Sequence, residues 1–332
     1  MSPKRRFLAA MLGGKPDRIP VGNVVSIATV DLMQITDAWF PHAHLETRPM
    51  VDLALAGHTI LGYDTVMPVF SVVQEAAALG CQVEWGEPDM MPGVRSHPFA
   101  EMEDFRIPTN WMEASTIQVV LEALGELRRQ VGPEVVIVGK VMGPWTLSYH
   151  MLGIEEFLIS TKLDPGRARR SIDALMPVTI AFGRAQVKAG ADIICLADHA
   201  TGGMVSPLSY RDLLLPIHQA IVAEIGCPTV LHCCGNTTDR LQYFTQAGFD
   251  CYHFESQVNV GTAVASAAGN MTLMGNINNP DLLLAGTPDH VAAACRQAIE
   301  AGVQILSPEC AVPLRTPLDN LRALVEVAEE TV

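Results

Sequence analysis

From residue 110 to the end one unit recurs, a segment of helical length followed by a short apolar run, and this repeat restricts the fold more than any other feature. A helix over 114–130 precedes Val135-Val136-Ile137-Val138-Gly139-Lys140-Val141, which reads as a strand buried on both faces. Helices over 154–161 and 165–189 lead to a strand at 192–198, and a helix over 207–225 leads to a strand at 228–234. A helix over 237–247 then leads to 251–255. Strands at 271–276 and 303–307 follow, with helices at 288–301 and 316–330. Three of the helices close on glycine just before the next strand, at Gly190, Gly248 and Gly302.

Repeated helix–strand units build a parallel sheet. Adding strands at 19–25 and 65–70 brings the number to eight, which favours an α/β fold of the (β/α)8 TIM-barrel type. A dinucleotide-binding sheet would need Gly-x-Gly-x-x-Gly after its first strand, and that motif is absent. The 332 residues suit a single barrel domain spanning 1–332, with helices over 7–12 and 45–61 in its first part. Residues 74–108 break the pattern. Pro88, Pro92, Pro98 and Pro108 interrupt them, and Val83–Gly86 reads as one short hairpin strand. At about 35 residues this N-terminal excursion is short for a domain and reads as a lid or insertion.

The charge balance narrows the partners. With 22 Lys and Arg against 36 Asp and Glu the net charge is −14, which disfavours nucleic acid and anionic membrane. Residues 1–15 are basic and amphipathic without the apolar core of a secretory signal, and no apolar run reaches the roughly 18 residues of a membrane span. Eight cysteines in that context read as reduced thiols and ligands, and the expected compartment is the cytoplasm.

In parallel barrels the chemistry lies at the C-terminal strand ends. Those ends carry Asp198-His199, His232-Cys233-Cys234, Glu255, Gly275-Asn276 and Ser307-Pro308-Glu309-Cys310. Side chains alternate along a strand, so His232 and Cys234 share a face while Cys233 points away. An imidazole and a thiolate are two ligands of a borderline-soft ion such as zinc, and Cys310 at another strand end is the third. The plainer reading makes a buried cysteine a small hydrophobe, and it fits Cys81, Cys195, Cys227, Cys233, Cys251 and Cys295. His199 and His253 read as structural or supporting. A His/Cys/Cys set leaves one tetrahedral position open to substrate. Two thiolates make the ion a poor Lewis acid but leave a bound thiolate nucleophilic, which favours thiol alkylation over hydrolysis.

The motifs are similar to a known family. Residues Lys4–Ala10, then Gly14-Lys15-Pro16-Asp17-Arg18-Ile19-Pro20-Val21, Gly143-Pro144-Trp145-Thr146-Leu147 and Ser206-Pro207 resemble the uroporphyrinogen decarboxylase superfamily. His232–Thr238, Met274-Gly275-Asn276, and Cys310 with Arg315–Asn320 resemble its methylcobamide:coenzyme M methyltransferase branch. The resemblance implies a TIM barrel whose zinc is held by His232, Cys234 and Cys310, with Glu255 as a fourth ligand when no thiol is bound. It implies a methyl donor, a methylcobamide carried on a corrinoid-binding partner protein, and a small thiol acceptor such as coenzyme M. Asp198, Glu255 and Asn276 are the candidate catalytic residues, with Asp198 steering substrate or partner. The family's cysteine is usually flanked by glycines where this chain has Glu309 and Ala311, so the acceptor pocket is expected to differ there. Transfer to or from tetrahydrofolate or a methylated substrate needs only a changed pocket. Uroporphyrinogen decarboxylase itself binds a polycarboxylate through N-terminal arginines, and Val21–Asp31 has none. A non-catalytic barrel that docks a corrinoid protein is the remaining alternative, and the intact ligand set argues against it.

Overall fold

The computed structural model describes residues 1–100 and 102–332. Seven parallel strands form one sheet: β1 (Thr65–Val66), β4 (Val136–Met142), β5 (Ile193–Ala197), β6 (Thr229–His232), β7 (Cys251–Phe254), β8 (Thr272–Ile277) and β9 (Ile305–Pro308), paired in that order. Between β1 and β4, β2 (Val83–Glu84) and β3 (Gly93–Val94) make a separate antiparallel ribbon, the hairpin expected at 83–86.

The eighth position is filled without a full strand. Val21 forms a single parallel bridge to Leu306, and the Asp64 N–H donates to the Val21 carbonyl at 2.7 Å on the other side. The strand expected at 19–25 shrinks to this contact because side chains take its ladder bonds. The Asp64 carboxylate accepts from Val21 N–H at 2.9 Å, and Thr65 Oγ1 accepts from Asn23 N–H at 3.1 Å. Asp64 is buried and ion-paired to Arg6 at 2.8 Å and Arg18 at 3.6 Å, so the basic N-terminal motif fastens the first helix beneath the barrel. The expected second strand, 65–70, is likewise only Thr65–Val66.

The later strands fall where the apolar runs place them. β4 is buried at all seven positions. Register places Ala197, His232, His253 and Met274 side by side across β5 to β8 in one layer of the interior. The expected helix 207–225 is broken into Pro207–Ser209, a wide turn at Tyr210–Leu214, and Leu215–Ile225, because Pro216 lacks an N–H for an unbroken helix. The helices Val30–Thr36, Pro144–Leu152 and Val260–Ala267 were not anticipated. In the excursion, Phe99 is buried and its N–H donates to the Met151 carbonyl at 2.9 Å. Of the expected lid segment 74–108, residue 101 lies outside the described residues. Among the described residues no helix is long and apolar enough to cross a membrane.

Candidate metal centre

His232 ends β6, Cys234 follows two residues on, and Cys310 lies two residues past the end of β9. Their donor atoms form a triangle. His232 Nε2 is 3.1 Å from Cys234 Sγ, Cys234 Sγ is 3.6 Å from Cys310 Sγ, and Cys310 Sγ is 3.4 Å from His232 Nε2. Among the described residues this is the one group of three or more His, Cys, Asp or Glu donors lying within 4.8 Å of one another. A tetrahedral zinc with Zn–S near 2.3 Å sets its sulfurs about 3.8 Å apart, so the triangle is close to the size a zinc ion needs. All eight cysteines are free thiols. Hydrogen bonding from Cys234, then the nearby His232, pushes the Cys310 thiol well below the usual thiol range, and the same bond pushes Cys234 up.

The neighbours fix these three side chains. Gly235 turns the chain away after Cys234 with φ +74°, a left-handed backbone that glycine accepts without strain. The Cys310 carbonyl accepts from Asn23 Nδ2 at 3.1 Å, tying the third ligand to the bridge region. The His253 ring lies 4.7 Å from that of His232, and its Nε2 meets the Pro308 carbonyl at 2.8 Å and Ser307 Oγ at 3.0 Å. His253 therefore links β7 to the loop of Cys310. Cys233 is buried facing away, as alternation requires.

Asp198, just past β5, is buried with both carboxylate oxygens engaged. Oδ1 accepts from Thr146 N–H at 2.8 Å and Thr146 Oγ1 at 2.9 Å, and Oδ2 meets His218 Nε2 at 2.9 Å. His218 Nδ1 contacts the Tyr210 hydroxyl at 2.7 Å, and Thr146 Oγ1 in turn accepts from His199 N–H at 2.8 Å. A Cβ at Gly143 would collide with the Asp198 carboxylate, which explains the Gly-Pro-Trp opening of that helix. Glu255 follows β7, half-buried, and accepts a hydrogen bond from the backbone of Gly235; burial pushes its carboxyl up. It stands outside the 4.8 Å cluster. Asn276 on β8 is two residues beyond Met274 and so shares its inward face.

Glu309 departs from expectation. Its carboxylate accepts from Ser256 N–H at 2.7 Å and Asn279 N–H at 2.8 Å, and the Ala311 carbonyl accepts from Asn279 Nδ2 at 2.8 Å. Through its side chain Glu309 straps the loops after β7 and β8 to the ligand loop, and the Ala311 backbone carbonyl adds a second tie to Asn279. Both Glu309 oxygens are thereby bonded, so the expected change in the acceptor pocket is not seen at Glu309.

Sequence reasoning missed Lys140, Glu75, His218 and Asn23. Lys140 is fully buried inside the barrel and donates to the Val25 carbonyl at 3.0 Å. Burial lowers its pKa to about 8, offset in part by Cys195, Glu75, Cys310 and Cys234. A cavity of about 640 Å³ opens at the mouth between His199, Gly235, Asn236, Asp239 and Gln257. A larger one of about 860 Å³, by Asp250 and Gln304, lies where β7 and β9 begin, the end of the barrel opposite the triad.

Over its length the chain is similar to known methyltransferases. It is 37% identical over 332 residues to "Methylated-thiol--coenzyme M methyltransferase" of Methanosarcina mazei, covering 100% of this chain and 90% of that protein. It is 31% identical over 330 residues to "Methylcobamide:CoM methyltransferase MtaA" of Methanosarcina barkeri, covering 98% and 97%. Among solved structures, a methyltransferase from Methanosarcina mazei superposes with a TM-score of 0.96 at 31% identity, over 99% of each chain. The family model for uroporphyrinogen decarboxylase (URO-D) matches residues 2–331, and the chain belongs to that family.

Proposed function

We propose that this protein moves a methyl group from a methylcobamide, carried on a corrinoid-binding protein, to a small thiol such as coenzyme M. The observation that carries this reading is the triangle of His232 Nε2, Cys234 Sγ and Cys310 Sγ at the C-terminal mouth of the barrel. The names of the full-length relatives support the donor and the acceptor.

These three residues would hold a zinc ion, which lowers the pKa of a thiol bound to it and so supplies a sulfur nucleophile at neutral pH. The chain's own residues do the rest. His253, Asn23 and Gly235 hold the three donors in register, leaving the mouth side open. Glu255, one turn of loop away, is the carboxylate assigned to the open position before the thiol arrives. Asp198 holds Thr146 and through it the backbone of His199 on the cavity wall, where it shapes the approach of the corrinoid. Asn276 is assigned to orienting the thiol. In the transfer the S–C bond forms as the Co–C bond breaks, and the electron pair stays on cobalt, taking Co(III) to Co(I).

Zinc content and the cobalt absorption spectrum test this together. The purified protein should hold close to one zinc, and mixing it with methylcobalamin and coenzyme M should give the Co(I) spectrum. Cys310→Ala should lose most of the zinc and slow transfer by at least a hundredfold. Wild-type rates in that variant, or a wild-type protein without zinc, would refute the reading.

A further inference from the structure

Among the described residues, Cys234 and Cys310 are the one pair of cysteines whose sulfurs touch. Their Sγ atoms lie 3.6 Å apart and bring the end of β6 to the loop after β9. Both are half-buried free thiols, and the mouth cavity of about 640 Å³ reaches Gly235, the residue after Cys234. The other six cysteines are placed otherwise. Cys81 meets Met151 Sδ, Cys227 meets the Pro228 carbonyl, and Cys233 is buried facing away from the mouth. Cys195 and Cys251 stand on either side of Val230, two strand spacings apart and too far to join. Cys295 is buried on the helix Pro288–Ala301.

A disulfide needs about 2.05 Å between its sulfurs, so this pair has about 1.5 Å to close. The backbone around Cys310 is already clamped. Glu309 holds the N–H groups of Ser256 and Asn279, and Asn23 holds the Cys310 carbonyl. The approach therefore falls to the two side chains and to the corner at Gly235, where glycine accepts φ +74° and small changes around it. His232 Nε2, 3.1 Å from Cys234 Sγ and 3.4 Å from Cys310 Sγ, is within reach of either thiol proton. A zinc ion bound to both sulfurs uses their lone pairs and keeps them about 3.8 Å apart. Metal binding and an S–S bond at this pair therefore exclude each other.

We propose that this pair is a redox switch: in the metal-free protein, hydrogen peroxide oxidises Cys234 and Cys310 to a disulfide, which removes two of the three candidate donors. One sulfur attacks the peroxide; an S–O bond forms as the O–O bond breaks, and water leaves with the thiol proton. The second sulfur then attacks the first. The S–S bond forms as the S–O bond breaks, and a second water leaves. The two thiols lose two electrons, and the peroxide takes them up. A dithiol reductant reverses the step and returns the donor set. The bond also joins residues 76 positions apart, so the oxidised barrel is fastened between β6 and the loop after β9. The loss of metal binding rests on the zinc assignment made under the proposed function, whereas disulfide formation rests on the two sulfurs alone.

The test compares chelator-treated with zinc-loaded protein, each given hydrogen peroxide and then denatured for thiol counting. The chelator-treated protein should go from eight free thiols to six and lose about two mass units. Its peptide map without reductant should join Cys234 to Cys310. The zinc-loaded protein should oxidise at least tenfold more slowly. Dithiothreitol should restore all the thiols and the capacity to bind zinc. Cys310→Ser should form no internal disulfide at the same dose, although it keeps Cys234 next to Cys233. No disulfide in the chelator-treated wild type, a different pairing, oxidation of either sulfur to a sulfinic acid instead, or equal rates with and without bound zinc overturns the switch. If the wild type takes up no zinc, the zinc assignment fails, and the thiol count and peptide map still decide whether the disulfide forms.

Discussion

Asp198 and Glu309 are two buried carboxylates near the candidate metal centre, and what each does follows from which oxygens are already bonded. Asp198 accepts from Thr146 twice and meets His218, so its oxygens face protein rather than the mouth. Replacing His218 by Phe leaves the buried Asp198 Oδ2 without its hydrogen-bond partner, and an unsatisfied buried group costs about 1–3 kcal/mol. Urea unfolding of His218→Phe should show a loss of that order, and Thr146→Val a smaller one because His218 stays. Gly143→Ala should push Asp198 aside and cost about 1–3 kcal/mol. The sequence showed Asp198, His232, Cys234 and Cys310 because each is a polar residue at the end of an apolar run, which is a local signal. Lys140 was hidden for the opposite reason. It sits inside such a run, where one cation among Val and Ile reads as noise until the register shows that it faces the interior.

At the scale of elements, the ligand loop after β9 is held by its neighbours more than by its own strand. Glu309 gathers two backbone N–H groups, Asn279 grips the Ala311 carbonyl, and Val312 N–H donates to the Ser26 carbonyl at 2.9 Å. Glu309→Ala leaves two donors without acceptors, at about 1–3 kcal/mol each. Its melting temperature should fall, and zinc should leave faster to a chelator; Glu309→Gln keeps one acceptor and should fall between. This role was not legible beforehand. The partners, Ser256 and Asn279, lie 53 and 30 residues away, and only the folded loops bring them to one carboxylate. β4 to β9 were legible within a residue or two, because buried parallel strands are short apolar runs. The two strands near the N-terminus were overread, since Asp64 and Thr65 side chains replace backbone pairing that no periodicity reports.

The whole molecule carries a pH dependence set by buried imidazoles. Burial first, then Lys140, pushes His44 down to about 3, and burial, then His97, pushes His150 down to about 4. Both are below the unfolded value near 6.5, so between those limits the unfolded chain binds more protons than the folded one. Stability is therefore full above about pH 6.5 and is lost as the pH falls through that window. From pH 7 to 5 each histidine should account for about 2 kcal/mol. His44→Phe/His150→Phe should flatten the acid side of a stability curve measured by urea midpoint. An unchanged slope would show that these imidazoles are not held neutral.

The single-bridge closure at Val21 makes the ring uneven. From β4 to β9 neighbouring strands pair over three to five residues; here the join is one bridge, a few side-chain bonds, the Asn23–Cys310 bond and the backbone bonds of Val312 to Ser26 and Val30 to Leu314. A hoop opens first at its weakest joint, and this joint carries Cys310, one of the three candidate metal ligands. With zinc held as proposed, breathing of the barrel and release of the ion would be the same event, and the off-rate of zinc would report how often the hoop parts. Asn23→Ala should speed metal loss and raise amide exchange at 20–25 and 306–312 together, while β6, which ends at His232, stays as protected as before.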